Sequence, residues 1–319
     1  MGVATGGDFE AQAGPYRDEL LVHCYRMLGS VHEAEDLVQE TMLRAWRAWR
    51  RYDPSLASVR TWLYRIATNA CLSALEGRAR RPLPSGLGGP SDDPDAPLTP
   101  AADVPWLQPF PDARLGDPAA EVVRRGTLRL ALVAAIQVLP PRQRAVLILR
   151  DVLEFSAAEA AALLETSPAA VNSALQRARA SLSGCAAAEG RVAEPGDAAV
   201  RRTVDRYIRS FEAGDVAGLV ALLTRDAVLE MPPVPLWYAG RDGYGRFMTR
   251  VFAMRGADWR ITALTANTQP ALAAYCRDGD AYALHTLQVL TVTPEGVARN
   301  VVFQDPAVFA AFRLPGSLS

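Results

Sequence analysis

Hydrophobic positions in residues 15–28 recur with the spacing of a helix, and Gly29 stands where a left-handed residue would close it. Ser30 and Glu33 then form the S-x-x-E signature of a helix start, and the helix they open runs to about Arg50. Its buried stripe is expected at Ala34, Leu37, Val38, Met42, Ala45, Trp46 and Trp49. Asp36, Glu40, Arg44, Arg47 and Arg51 fall on the opposite side. Tyr52-Asp53-Pro54 breaks the pattern, because a residue before proline is steered out of the helical region. Ser58 caps a third helix. Val59, Trp62, Leu63, Ile66 and Ala70 share its apolar face, while Arg65, Asn69 and Leu72 lie on another side.

The periodicity stops at residue 82. Proline and glycine supply 13 of the 36 residues in 82–117, which predicts an extended linker with no packed element. Within it, Val104-Pro-Trp-Leu-Gln-Pro-Phe110 is either a docking peptide or sequence drift, docking being favoured because an exposed Trp costs solubility. Asp117-Pro118 marks a new helix start, running to about Val138. Helices over 142–152, from the Ser156/Glu159 capping box to Leu164, and from Ser167-Pro168 to about Ser183 follow, the last two forming a helix-turn-helix. From about Asp197 come two helices, over 197–214 and 216–223. Strand-like runs at 226–231, 259–267, 271–277, 281–293 and 297–303 follow, which predicts a separate α+β layer of antiparallel strands.

Charge sharpens this division. The chain has 319 residues and a net charge of −1, and its 34 basic residues are all Arg. Residues 1–81 carry +1, 82–117 carry −5, 118–185 carry +3, and the remainder is neutral. The basic surplus is thus local, and Arg60, Arg65, Arg78, Arg80 and Arg81 face only Glu76 within 60–81. Every apolar run is broken before about 18 residues, and MGVATGGDFE lacks a basic start and an apolar core, so a cytoplasmic protein with no membrane contact is expected. Cys24, Cys71, Cys185 and Cys276 are far apart and only three His occur, which predicts buried thiols and neither a metal site nor a cofactor.

Two stretches carry candidate chemistry. Asn172, Ser173, Gln176, Arg177 and Arg179 project from the second helix of the helix-turn-helix; Arg can fork onto guanine, Asn and Gln onto adenine, and all can hold phosphates. The run Arg60–Asn69 interleaves aromatics with Arg, as a surface that takes up unstacked bases requires. Tyr64, Arg65 and Asn69 are the better placed there, whereas Trp62 falls on the apolar face.

These segments together resemble one family. Ala34-Glu-Asp-Leu-Val-Gln-Glu-Thr41, Thr61-Trp-Leu-Tyr-Arg-Ile-Ala-Thr-Asn69, Leu139-Pro-Pro-Arg-Gln-Arg-Ala-Val146 and Val171-Asn-Ser-Ala-Leu-Gln-Arg-Ala-Arg179 look like the bacterial extracytoplasmic-function (ECF) sigma factors, over about 15–183. The resemblance implies a region 2 bundle over 10–81 that binds core RNA polymerase and melts the promoter −10 element. It implies a flexible linker over 82–117, and a region 4 helix-turn-helix over 118–185 that reads −35 DNA. Asp36, Leu37, Gln39 and Glu40 would meet the polymerase clamp, region 4 its flap, and Trp62, Tyr64, Arg65 and Asn69 the −10 DNA. The family often carries a basic residue where this chain has Asn172. The acidic linker residues Asp92, Asp93 and Asp95 would lie in the polymerase's basic RNA channel.

Leu223–Pro232, Gly240-Arg-Asp-Gly243 and Asp305–Phe309 resemble the SnoaL-like domains appended to some of these factors, implying a cone-shaped α+β domain over 197–319 with an apolar pocket. Glu230, Trp237, Tyr275 and His285 are its candidate pocket residues, with Tyr238 and Asp305 beside them and no catalytic residue assigned. An anti-sigma factor or a small-molecule ligand stays open as a further partner. Two other readings compete: a SnoaL-like cyclase or hydrolase fused to a DNA-binding regulator, and a ligand-sensing helix-turn-helix repressor or activator. Neither accounts for the Asp36–Glu40 helix together with the Tyr64–Asn69 run.

Overall fold

A computed structural model describes residues 6–115, 128–189 and 196–319; the helix start expected at Asp117-Pro118 and the side chain of Cys185 lie outside the described residues. The chain divides into two compact units, one of residues 1–80 with 113–186 and one of residues 81–112 with 187–319.

The first unit is helical. It comprises α1 (Gly6–Ala13), α2 (Arg17–Leu28), α3 (Val31–Ala48), α4 (Val59–Ala74), α5 (Leu130–Gln137), α6 (Pro141–Leu147), α7 (Ala157–Leu163) and α8 (Pro168–Glu189). Local chemistry sets the ends. Gly29 adopts φ 70° and its N–H donates to the Tyr25 carbonyl at 2.7 Å, ending α2. Ser58 Oγ accepts from the Thr61 N–H at 3.1 Å, and Ser156 with Glu159 completes a reciprocal capping box at 3.2 and 2.7 Å. On α3, buried Val31, Ala34, Val38, Thr41, Met42 and Ala45 occupy an arc of about 100°, which buried Trp49 continues in the turn that follows. Leu37 and Trp46 fall beyond its two edges, which corrects their assignment to the core: Leu37 is half-buried and Trp46 is 54% exposed.

The two helical modules of this unit are knit by buried polar contacts. Arg144 of α6 is 3% exposed and donates to the Met27 carbonyl, to Gln137 Oε1 at 2.7 Å and to the Gln137 carbonyl at 2.8 Å. Gln137 Nε2 in turn donates to the Arg26 carbonyl at 3.0 Å. Burial, with Arg80 nearby, pushes the Arg144 guanidinium down to about 10, still charged at neutral pH. Both terminal nitrogens of this one cation are bonded to carbonyl and amide oxygens, which lowers the cost of burying its charge.

The second unit is an α+β layer. Helices α9 (Ala198–Glu212) and α10 (Val216–Ala221) lead into strands β1 (Leu223–Met231) and β2 (Val234–Ala239), then α11 (Gly240–Arg255). Strands β3 (Trp259–Ala266), β4 (Gln269–Asp278), β5 (Ala281–Thr293) and β6 (Gly296–Phe303) follow, with α12 (Pro306–Ala311) and β7 (Ser317–Leu318) at the end. The sheet runs β2-β1-β6-β5-β4-β3, with β7 paired to β5. Its β1·β6 pair is parallel, so the sheet is mixed and not wholly antiparallel as expected. Val200, Val204, Tyr207 and Phe211 of α9 fill the core with Leu229, Phe247, Trp259 and Leu290.

The acidic strip is where expectation and structure part most clearly. Residues 81–112 belong to the second unit and are pinned along their length, although they form almost no regular structure. Leu83, Leu107 and Phe110 are buried. The Ser85 N–H donates to Glu230 Oε1 at 2.8 Å, Trp237 Nε1 to the Gly88 carbonyl at 2.8 Å, and Tyr238 Oη to the Asp93 carbonyl at 3.1 Å. Arg250 donates to the Pro94 and Ala96 carbonyls at 2.7 and 2.8 Å. The Ala101 N–H reaches the Pro233 carbonyl at 2.9 Å, and Phe110 and Asn267 exchange two bonds at 2.7 and 2.9 Å. A proline-rich strand has few N–H groups of its own, but its carbonyls remain good acceptors; the domain supplies donors to them and acceptors for the N–H groups of Ser85, Ala101 and Phe110. The floppy-linker reading is therefore corrected to a docked strap, and Trp106 and Phe110 belong to its packing, the Trp106 indole donating to the Ala101 carbonyl at 3.0 Å.

Candidate functional site

Helix α3 presents a mixed face. Asp36 and Gln39 are exposed, Leu37 and Glu40 half-buried, and Glu40 pairs with Arg44 one turn on at 2.6 Å. Gln39, Leu43 and Trp46 recur at i, i+4 and i+7, so one stripe carries a polar group beside two apolar side chains that are 46% and 54% exposed.

The next helix divides its expected DNA contacts. Trp62, Arg65, Ile66 and Asn69 of α4 line an open groove with Arg44 and Ala48 of α3. Trp62 is held by Trp49 and Tyr52, ring centroids 6.0 and 5.0 Å away, so its position is fixed while one side stays accessible. Tyr64 is different: it is fully buried, with its ring edge-on to His23 at 5.0 Å and to Phe155 at 5.6 Å. Its placement as a DNA contact is thus corrected for this conformation. Position 64 faces opposite the groove, and an alternating aromatic/Arg run could not reveal which aromatic turns inward. Arg60 lies over both the Tyr64 and Phe155 rings and pairs with Glu19, and Arg65 pairs with Glu165 at 2.9 Å.

On α8, Asn172, Ser173, Gln176 and Arg177 are all exposed, with Val171, Leu175 and Ala178 turned into the unit. Arg177 also lines a shallow groove with Arg142 and Gln143 of α6. Arg179 is exposed too, but its Nε and Nη2 fork onto the two carboxylate oxygens of Asp151 at 2.9 and 2.7 Å. That bidentate pair orients Arg179 and occupies its guanidinium fork.

In the second unit, a cavity of about 200 Å³ lies between α9, α11 and the sheet. Of the four expected pocket residues only His285 lines it. Glu230 is fully buried but turned to the strap, pairing with Arg299 and the Ser85 N–H. Trp237 holds Gly88, and Tyr275 sits in a separate apolar cluster with Ala273 and Tyr282. Asp305 caps α12 through the Ala307 N–H at 2.8 Å. The cause is strand alternation: Leu229 and Met231 line the cavity, and Glu230 between them faces the other way. Burial, aided by Arg255, pushes His285 down to about 4, so its imidazole is neutral at pH 7. Two of the lining residues, Gln288 and Asn300, also belong to a buried polar cluster beside the cavity. Tyr207 Oη and Tyr244 Oη are 2.7 Å apart, and Asn300 Nδ2 lies 3.0, 2.9 and 2.9 Å from Tyr207, Tyr244 and Gln288. They come from α9, α11, β5 and β6, with no shared spacing to betray them.

Comparison with known proteins brings these surfaces together. Residues 14–81 match the Sigma-70 region 2 family, 129–182 the Sigma-70 region 4 family, and 204–301 the SnoaL-like domain. The chain is 49% identical over 316 residues to the ECF RNA polymerase sigma factor SigG of Mycobacterium tuberculosis, covering 98% of this chain and 85% of that protein. It is 31% identical over 252 residues to SigJ of the same organism, covering 79% of this chain and 69% of that one. The crystal structure of M. tuberculosis SigJ superposes with a TM-score of 0.66 at 25% identity, over 98% of this chain and 100% of that chain. Among the described residues, no helix is long and apolar enough to cross a membrane.

Proposed function

From the premise that the chain belongs to the ECF RNA polymerase sigma factors, we propose that it meets the polymerase clamp through Asp36, Leu37, Gln39 and Glu40, extended by Leu43 and Trp46. As a sigma factor it binds core RNA polymerase and promoter DNA and directs initiation; the proposal assigns which residues do so. The groove of Trp62, Arg65 and Asn69 takes the −10 strand, and Asn172, Ser173, Gln176 and Arg177 read the −35 element, with Arg179 a positioning residue. Protein and polymerase work together in the cytoplasm, and the SnoaL-like domain modulates activity without catalysing a reaction. The docked strap moves Asp92, Asp93 and Asp95 away from the role of a loose acidic plug for the RNA channel, because their backbone is anchored to Tyr238, Arg246 and Arg250.

The observation that carries this reading is the single exposed polar face of α8, backed by buried Val171, Leu175 and Ala178. The test is run-off transcription with purified core polymerase, comparing the full chain with residues 1–185. Both are expected to give specific transcripts, in different amounts. Transcripts from neither would refute the assignment, and equal yields would remove the modulating role.

A further inference from the structure

Helix α9 carries positive charge that the described residues of its unit leave unpaired. Its core stripe is Val200, Val204, Tyr207 and Phe211. Opposite that stripe stand Arg202, Arg206 and Arg209, at i, i+4 and i+7, a spacing that places all three within an arc of about 60°. They are exposed, and none makes a hydrogen bond, an ion pair or a ring contact with a described residue. Other arginines of the unit are engaged: Arg241 donates to the Leu223 carbonyl, Arg250 holds the strap, and Arg246 and Arg299 pair with Asp242 and Glu230. Asp205 is the one acid among the exposed residues of α9 and pairs with none of the three. Glu212 is turned to the sheet, where it accepts from the Ile261 N–H at 2.9 Å.

A solvated helix face usually mixes its charges, as α3 does where Glu40 pairs with Arg44. Like charges one turn apart, as Arg202 and Arg206 are, instead weaken the helix that carries them. A polyanion relieves that repulsion. The three arginines span about 10.5 Å of helix axis, over which each strand of duplex DNA presents about three phosphates. Their forks suit phosphate oxygens, and α9 holds no Asn or Gln that could read adenine beside them. Only eight residues, 190–197, separate α9 from α8, a length of chain that spans about 30 Å at most, or about nine base pairs of duplex.

We propose that Arg202, Arg206 and Arg209 form a further, sequence-independent DNA contact, gripping the phosphate backbone of the duplex immediately upstream of the −35 element. Downstream of −35 the duplex leads to the −10 element and the polymerase, which leaves the upstream side for α9. The α+β domain thereby adds affinity without adding sequence preference. This contact rests on the assignment of α8 to the −35 element and gives the modulating role of the domain a partner. It makes binding depend on the length of upstream duplex, which the −35 contact alone would not do.

The test uses holoenzyme assembled from core polymerase and the full chain, bound to two duplex fragments of a promoter it transcribes. One fragment ends just upstream of −35, and the other carries two further helical turns, about 20 base pairs. The longer fragment is expected to bind tighter. Its affinity should fall between 50 and 200 mM salt by an additional factor of up to about 40, the value for three phosphate contacts. Arg202→Gln, Arg206→Gln and Arg209→Gln together should erase the difference between the fragments and leave the short one bound as before. Asp205→Asn, which removes the opposing charge, should widen it. All four positions are exposed, so the fold is not at stake. Equal affinity for the two fragments in the parent protein, or a length effect that survives the triple substitution, would overturn the proposal. So would an equal loss on both fragments, which would make the face a contact for an acidic protein surface of the polymerase. Specific binding of the short fragment reads the −35 assignment by itself, so either can fail without the other.

Discussion

At the residue scale, burial decides which side chains act and which support. His23 is fully buried between α2 and α4, with Nε2 3.0 Å from Thr68 Oγ1, and burial with Arg26 and Arg60 nearby pushes it down to about 3. A histidine whose folded value lies below its unfolded value of 6.5 leaves the unfolded chain holding more protons between the two. Its contribution is therefore present above pH 6.5 and is lost as pH falls toward 3. At pH 5 the loss from His23 is about 2 kcal/mol. Urea denaturation at pH 5 and 7.5 should show this drop, and His23→Gln should shrink the difference. Arg177 belongs to the opposite class. Arg177→Ala should cost about 1–3 kcal/mol of −35 affinity per lost base contact, measured on promoter fragments with holoenzyme, whereas Arg179→Ala should lose less, since Asp151 already holds that fork.

At the scale of elements, legibility follows how local the cause is. The starts at Ser58 and Ser156 and the stop at Gly29 were readable, because each depends on residues within four positions. Helix α11 was not, because Gly240, Gly243 and Gly245 look like loop residues. Gly245 is there for packing: a Cβ on it would lie 2.8 Å from Val220 Cγ2 of α10. Strand β2 has no clear sequence signal either, because Pro232, Pro233 and Pro235 crowd its start. The strap misled for the converse reason. Its composition is that of a disordered linker, and only the donors of a distant domain reveal that it docks. Glu230 is its buried anchor, so Glu230→Ala should release the Ser85 end and leave Arg299 without its carboxylate. Limited proteolysis should then cut within 81–90 several-fold faster than in the parent protein.

At the scale of the whole molecule, the sigma-type helical modules and the α+β domain were legible from motifs spread along the chain. How the modules associate was not, because it rests on Arg144, Gln137 and the Tyr64–Phe155 contact, none of which has a sequence signature. That association covers Tyr64 of α4 with Phe155 from the start of the helix-turn-helix. Phe155→Ala removes a side chain 5% exposed, and a truncation of that kind costs about 3–5 kcal/mol in a packed core. Here the cost should fall on the seam, so amide exchange in α4 is expected to speed up more than exchange in the α9–β6 layer. Equal acceleration in both would mean that the seam is no separate element.

The docked strap also bears on anyone trimming the protein to its transcriptional core. Cutting at residue 185 removes Trp237, Tyr238, Arg246 and Arg250, whose donors cradle the proline-rich cord, and takes from Leu83, Leu107 and Phe110 the rest of the unit they are buried in. Such a minimal version would carry a greasy ribbon between its working halves. It should be handled as a precipitation risk, with polar replacements at those three sites as the remedy.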